Sequence, residues 1–82
     1  MNEMIFDSEA IDFLNSLPKE IKERIFKKIA STKENPYHFF ERLAGRLDYK
    51  LRIGDYRVIA DISESQIQVT KIGHRKNIYD KI

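Results

Sequence analysis

Apolar residues follow two different periods along this chain. Up to residue 30 they return every three or four positions: Ala10, Phe13, Leu14 and Leu17, then Ile21, Ile25 and Ile29, with Phe26 widening the stripe. This is the spacing of helices that bury one face. Asp7 and Ser8 are capping residue types and Glu9 suits the positive end of a helix, so a first helix is expected over residues 8–16. Pro18 fits the first position of a second helix, where its missing N–H would have no partner anyway. Glu20–Arg24 and Glu23–Lys27 stand in the favourable i, i+4 order for ion pairs, and Asn35-Pro36 stops the helix. Ahead of both, residues 2–6 (NEMIF) read as a short strand. Residues 37–45 (YHFFERLAG) read as a turn and connecting loop with aromatic anchors.

From Leu47 the period becomes two. Leu47, Tyr49, Leu51 and Ile53 alternate with Asp48, Lys50 and Arg52, while Tyr56, Val58, Ala60 and Ile62 alternate with Arg57, Ile59 and Asp61. Gly54-Asp55 between them is a two-residue hairpin signal. A second turn at residues 63–65 leads into QIQVTKI, which places Ile67 and Val69 inward. The order β-α-α-β-β-β predicts one α+β domain over residues 1–82. Its sheet is mostly antiparallel, with a helical hairpin packed on one face and the other face partly open.

Composition then narrows the function classes. Eighty-two residues, 41% of them hydrophobic, suffice for one core. No apolar run approaches the ~18 residues of a membrane span, and no signal-peptide pattern opens the chain. There is no cysteine, which removes thiolate and disulfide chemistry and is compatible with the cytoplasm. Two histidines, His38 and His74, are too few for a zinc cage, and no metal or cofactor is expected. The net charge of +2 hides an asymmetry. Residues 1–41 carry six Lys or Arg against eight Asp or Glu, and residues 42–82 carry nine against five. An acidic helical side and a basic working side follow.

The basic residues fall in a pattern. Across a Gly54-Asp55 hairpin, Arg52 stands directly opposite Arg57 with both side chains on the non-core face. Like charges so placed destabilise a sheet by roughly 0.2–1 kcal/mol, and the fold alone has no use for them. A bridging anion resolves the conflict, since guanidinium forks match phosphate geometry. Lys50 enlarges the cluster from the same face. The bland alternative is a solvated cationic surface, which suits any one of these residues taken singly. The same register sets Asp48 against Asp61, which calls for a bulge or a less regular sheet. The segment IGHRKNIY, residues 72–79, follows next to this cluster: Gly73 permits a turn, Arg75 adds a cation and Tyr79 a phenol. Taken alone, Tyr79 reads as a half-buried aromatic sealing the sheet end, and His74 as a hydrogen-bonded surface histidine.

LRIGDYRVIADI followed by IGHRKNIY resembles the RelE branch of the RelE/ParE toxin superfamily. FLNSLPKEIKERIFKKI is similar to that family's helical hairpin, and RLAGRLDYKLRIGDYR to the run into its central β-hairpin. The resemblance covers nearly the whole chain, and it implies a ribosome-dependent endoribonuclease that cleaves messenger RNA in the A site. By position it implies Arg57, Arg75 and Tyr79 as catalytic, and Lys50, Arg52, His74 and Lys76 as RNA- or phosphate-binding. RNA supplies its own nucleophile, the 2′-hydroxyl, so a protein need only align it, accept its proton and stabilise charge on the phosphoryl oxygens. Arginine stays protonated, so charge stabilisation suits Arg75 better than acid catalysis.

Partners implied by the resemblance are the ribosome with its mRNA and a cognate RelB-like antitoxin. That antitoxin would be acidic and amphipathic, fold on binding, and link the toxin to operator DNA only indirectly. No membrane role is implied. Two positions depart from the family: Asp48 stands where a second lysine is common, and Ala60 where a tyrosine is. A ParE-like DNA gyrase inhibitor and an inactive relative that only binds its antitoxin are the alternatives, because one fold serves all three.

Overall fold

The opening strand joins the closing one. The computed structural model describes residues 2–82 apart from the Lys81 side chain. Strand β1 (Glu3–Phe6) runs parallel to β5 (Gln66–His74), pairing Glu3 with Gln66 and Phe6 with Val69. β5 is antiparallel to β4 (Tyr56–Ile62), β4 to β3 (Tyr49–Ile53), and β3 to the two-residue β2 (Glu41–Arg42), giving the order β1-β5-β4-β3-β2. The mostly antiparallel α+β architecture is therefore as expected, with two additions in the stretch read as loop. These are β2 and a single helical turn, α3 (Pro36–Phe39), closed by the Phe40 N–H donating to the Pro36 carbonyl at 2.9 Å.

Helices α1 (Ser8–Asn15) and α2 (Lys19–Ser31) lie close to their expected limits. Pro18 sits one position earlier than predicted, extended at ψ 146 as the N-cap, and its carbonyl accepts the Lys22 N–H at 2.9 Å. Asp7 is the N-cap of α1 but makes no side-chain cap bond. Its carboxylate instead accepts from Gln68 Nε2 at 2.8 Å, tying the helix start to β5. Neither Glu20–Arg24 nor Glu23–Lys27 closes to an ion pair within 4.0 Å. Arg24 lies instead against Gly54 in the hairpin turn.

Ala10, Leu14, Ile25 and Ile29 from the helices meet Leu51, Ile53, Val58, Ala60, Ile67, Val69 and Ile72 from the sheet. Each leucine, isoleucine or valine buried this way is worth about 1.5–3 kcal/mol of transfer free energy. The opposite face carries a second, smaller cluster. Ile59 is buried there beneath Leu43 and Ile78, with Ile82 packed alongside. The face expected to be partly open is thus closed over Ile59 and open over the arginines. Leu47, expected to belong to the alternating inward series, is 80% exposed because β3 begins only at Tyr49.

Two irregularities decide which residues reach which face. The β4–β5 register slips between Ile59, opposite Lys71, and Ala60, opposite Val69, leaving Thr70 as an extra residue whose hydroxyl donates to the Ile59 carbonyl at 3.2 Å. The slip shifts the inward parity of β5 from Val69 to Ile72. Gly73, expected to open a turn, is instead paired with Arg57 inside the strand. A Cβ there would lie 2.8 Å from Ile78 Cδ1, so glycine is what lets Ile78 seat on the sheet.

Candidate functional site

The hairpin register is the one expected: Arg52 pairs with Arg57 and Ile53 with Tyr56 across Gly54-Asp55, with Gly54 at φ +57. Strand alternation sends Lys50, Arg52 and Arg57 to the face away from the helices. The chain leaves β5 at His74 and turns, and the 3₁₀ turn Ile78–Lys81 brings Tyr79 back over that face. A groove of about 670 Å³ results. Along it stand Lys50, Arg52, Arg57, Arg75, Lys76 and Tyr79, six of the seven predicted site residues.

The seventh, His74, is elsewhere. The Thr70 bulge puts it on the helix side opposite Tyr56, with ring centroids 5.7 Å apart in an edge-on contact. Its Nδ1 accepts the Lys76 N–H at 3.2 Å, which shapes the turn that presents Arg75 and Lys76.

The groove also has a wall that the sequence reading did not include. Lys28 from α2, His38 and Phe39 from α3, and Glu41 from β2 line it. Lys28 Nζ sits 5.1 Å above the Phe39 ring, a cation–π contact, and His38 meets the same ring edge-on at 4.9 Å. Six cations therefore face one carboxylate, Glu41. Lys28 belongs to the acidic half of the chain, so the division into acidic and basic sides holds in sum but not at the groove. Only the packing of α3 against the sheet edge brings this wall into place.

Arg57 is held by backbone carbonyls and Arg75 by the hairpin tip. Arg57 Nη1 donates to the carbonyls of Gly54 at 2.8 Å and Tyr56 at 2.9 Å, leaving Nε and Nη2 for a ligand. Arg75 Nε lies 3.6 Å from Asp55 Oδ1, and the Arg75 backbone N–H donates to the Asp55 carbonyl at 2.8 Å. Among the described residues, no carboxylate comes within 4.0 Å of Lys50, Arg52 or Arg57. Tyr79 is 44% exposed rather than locked beneath the helices.

Asp48, the acid in the position of a common lysine, is turned away. Arg46 grips it through Nε–Oδ1 at 2.8 Å and Nη2–Oδ2 at 2.9 Å. That hydrogen-bonded grip holds the Asp48 carboxyl below its ordinary range and raises Arg46, with Asp61 adding to the latter. The expected opposition of Asp48 and Asp61 is thus relieved by an arginine. Among the described residues, no three His, Asp or Glu side chains converge closely enough to share a metal ion, and no helix is long and apolar enough to cross a membrane.

The family model for the ParE toxin of type II toxin–antitoxin systems, parDE, matches residues 4–79. The chain belongs to the RelE/ParE toxin superfamily. Solved RelE structures share the toxin's fold at low sequence identity. The RelBE2 toxin–antitoxin complex of Mycobacterium tuberculosis aligns with TM-score 0.79 at 19% identity, covering 90% of this toxin and 98% of that chain. The intact E. coli RelBE complex gives 0.77 at 21%, covering 90% and 96%. The archaeal RelE–RelB complex from Pyrococcus horikoshii gives 0.73 at 25%, covering 90% and 94%. No curated protein matches the toxin by sequence.

Proposed function

We propose that this toxin is a ribosome-dependent endoribonuclease that cuts mRNA in the A site and so inhibits translation in the cytoplasm. The observation that carries the reading is the convergence of Lys50, Arg52, Arg57, Arg75, Lys76 and Tyr79 on one groove. A mere toxin fold does not require like-charged Arg52 and Arg57 to face each other. A phosphodiester between them converts that repulsion into binding.

In the proposed reaction the substrate's 2′-oxygen attacks the adjacent phosphorus as the P–O5′ bond breaks, and the leaving 5′-oxygen takes a proton from water, giving a 2′,3′-cyclic phosphate and a 5′-hydroxyl. Tyr79, exposed on the groove, takes the 2′-hydroxyl proton. Arg57 and Arg75 hold the charge that grows on the phosphoryl oxygens. Lys50, Arg52 and Lys76 bind flanking phosphates. Between bursts of activity a cognate, acidic, RelB-like antitoxin covers the groove and links the toxin to operator DNA, in keeping with the RelB complexes of its structural neighbours.

Induction of the toxin, followed by mapping of transcript ends, tests this. Codon-phased cuts within translated messages are expected, and Arg75→Ala or Tyr79→Phe abolishes them without loss of fold. Growth arrest with no such cuts rejects the nuclease reading. The matching family model favours a second one, ParE-like inhibition of DNA gyrase. Loss of supercoiling activity in a purified gyrase assay, with transcripts intact, selects it.

A further inference from the structure

The two residues of the β3–β4 turn touch two of the three arginines of the groove, Arg57 and Arg75. The Gly54 carbonyl accepts from Arg57 Nη1 at 2.8 Å. The Asp55 carbonyl accepts the Arg75 N–H at 2.8 Å, and the Asp55 carboxylate lies 3.6 Å from Arg75 Nε. The turn itself is braced from behind by Arg24, with which any Cβ at position 54 would collide. Arg75 stands just past the end of β5, on a turn whose chain direction nothing in the sheet dictates. The turn is closed from within by the His74 carbonyl and Nδ1, which accept the Asn77 and Lys76 N–H groups, and is tied to the hairpin by the Asp55 contacts.

We propose that Asp55 is a positioning residue for Arg75. The proposal rests on the nuclease reading and deepens it. At 3.6 Å from Nε, an ion pair just beyond hydrogen-bond reach, the carboxylate draws that edge of the guanidinium toward the hairpin tip and leaves both Nη atoms, which make no hydrogen bond to the described residues, for a phosphate. A guanidinium anchored by one edge and open at the other loses little further freedom when substrate arrives. The carboxylate also subtracts one charge from the rim of the groove. These two effects act in opposite directions, so they can be separated.

Asp55→Asn keeps a turn-forming residue of the same shape and removes the charge. Cleavage of ribosome-bound message by the full-length protein is expected to fall about 10- to 100-fold, the usual cost of a displaced catalytic group. Binding of a short single-stranded RNA to the free toxin is expected to tighten by about two- to fivefold, the reach of one exposed ion pair. Asp55→Glu restores most of the cleavage, and Glu64→Gln, an exposed charge in the β4–β5 turn, alters neither quantity. The decisive readout needs no activity: the Arg75 Nε–Hε NMR signal, ordered in the unmodified toxin, becomes mobile in Asp55→Asn. Slower cleavage with tighter binding and a mobile Arg75 establishes the role. An Arg75 signal unchanged by Asp55→Asn overturns it, as does cleavage that rises together with binding. If the unmodified toxin cuts no message, the nuclease reading falls and the Nε–Hε signal still decides Asp55. Asp55→Ser, also suited to the turn, replaces Asp55→Asn should that variant fail to fold.

Discussion

Replacing Gly73 with alanine tests how the second cluster seats the Tyr79 turn. The added Cβ would meet Ile78 Cδ1 at 2.8 Å and Ile78 Cβ at 3.3 Å, against the ~3.5–4.0 Å of an optimal carbon contact. Overpacking of this kind costs about 1–3 kcal/mol, and alanine recovers about 0.4–1 kcal/mol by stiffening the unfolded chain. A net loss near ~1–2 kcal/mol is expected. Ile78→Val removes Cδ1 and by itself costs about 0.5–1.5 kcal/mol. In the double variant the 2.8 Å clash is gone, because the atom that made it is gone. The pair should therefore be less destabilised than the sum of the singles, with a coupling of about 0.5–1 kcal/mol or more. Urea unfolding followed by far-UV circular dichroism gives all four corners of the cycle, with an unchanged m-value as the check on two-state behaviour. Strict additivity would refute the reasoning, since it would mean that Gly73 and Ile78 do not compete for one space.

Other expectations concern the charges and the turn. Arg52→Gln removes the like-charge opposition to Arg57, so the toxin gains about 0.2–1 kcal/mol in urea unfolding; on the nuclease reading, its RNA affinity falls as well. Asp48 is held below its ordinary range by Arg46, so its contribution is present above the ordinary carboxylate range and is lost as pH falls through the lowered value. Asp48→Asn should flatten that part of the stability–pH curve and leave the curve near neutrality without new slope. Gly54→Ala combines φ +57 with the Arg24 collision, and a loss of about 1–2 kcal/mol by thermal unfolding is expected from the left-handed conformation alone.

What was legible before the structure was what repeats. Helical spacing located α1 and α2, and alternation located β3 and β4 with the Arg52–Arg57 register, because each rests on local period and a two-residue turn. The stretch 36–42 was not legible: α3 is one turn and β2 is two residues, too short for either period, and both form because the sheet edge receives them. His74 was given as RNA- or phosphate-binding by resemblance alone; the extra residue Thr70 shifts the parity of β5 and sets it on the helix side, where it is hydrogen-bonded as its residue type suggested. Gly73 was read as a turn former on its freedom of backbone, whereas its use is the absence of a side chain under Ile78. Lys28 and Glu41 reach the groove only through packing of distant segments, so no spacing pointed to them.

The parallel pairing of Glu3–Phe6 with Gln66–Val69 has a consequence during synthesis. The first strand to emerge from a ribosome has no neighbour until some sixty residues later, when β5 is made, and β5 in turn must lie against β4 before residues 75–79 have a surface to turn back on. Such distant pairings form late. A nascent chain therefore lacks an assembled groove until residues 75–79 are made and can fold back on β4 and β5.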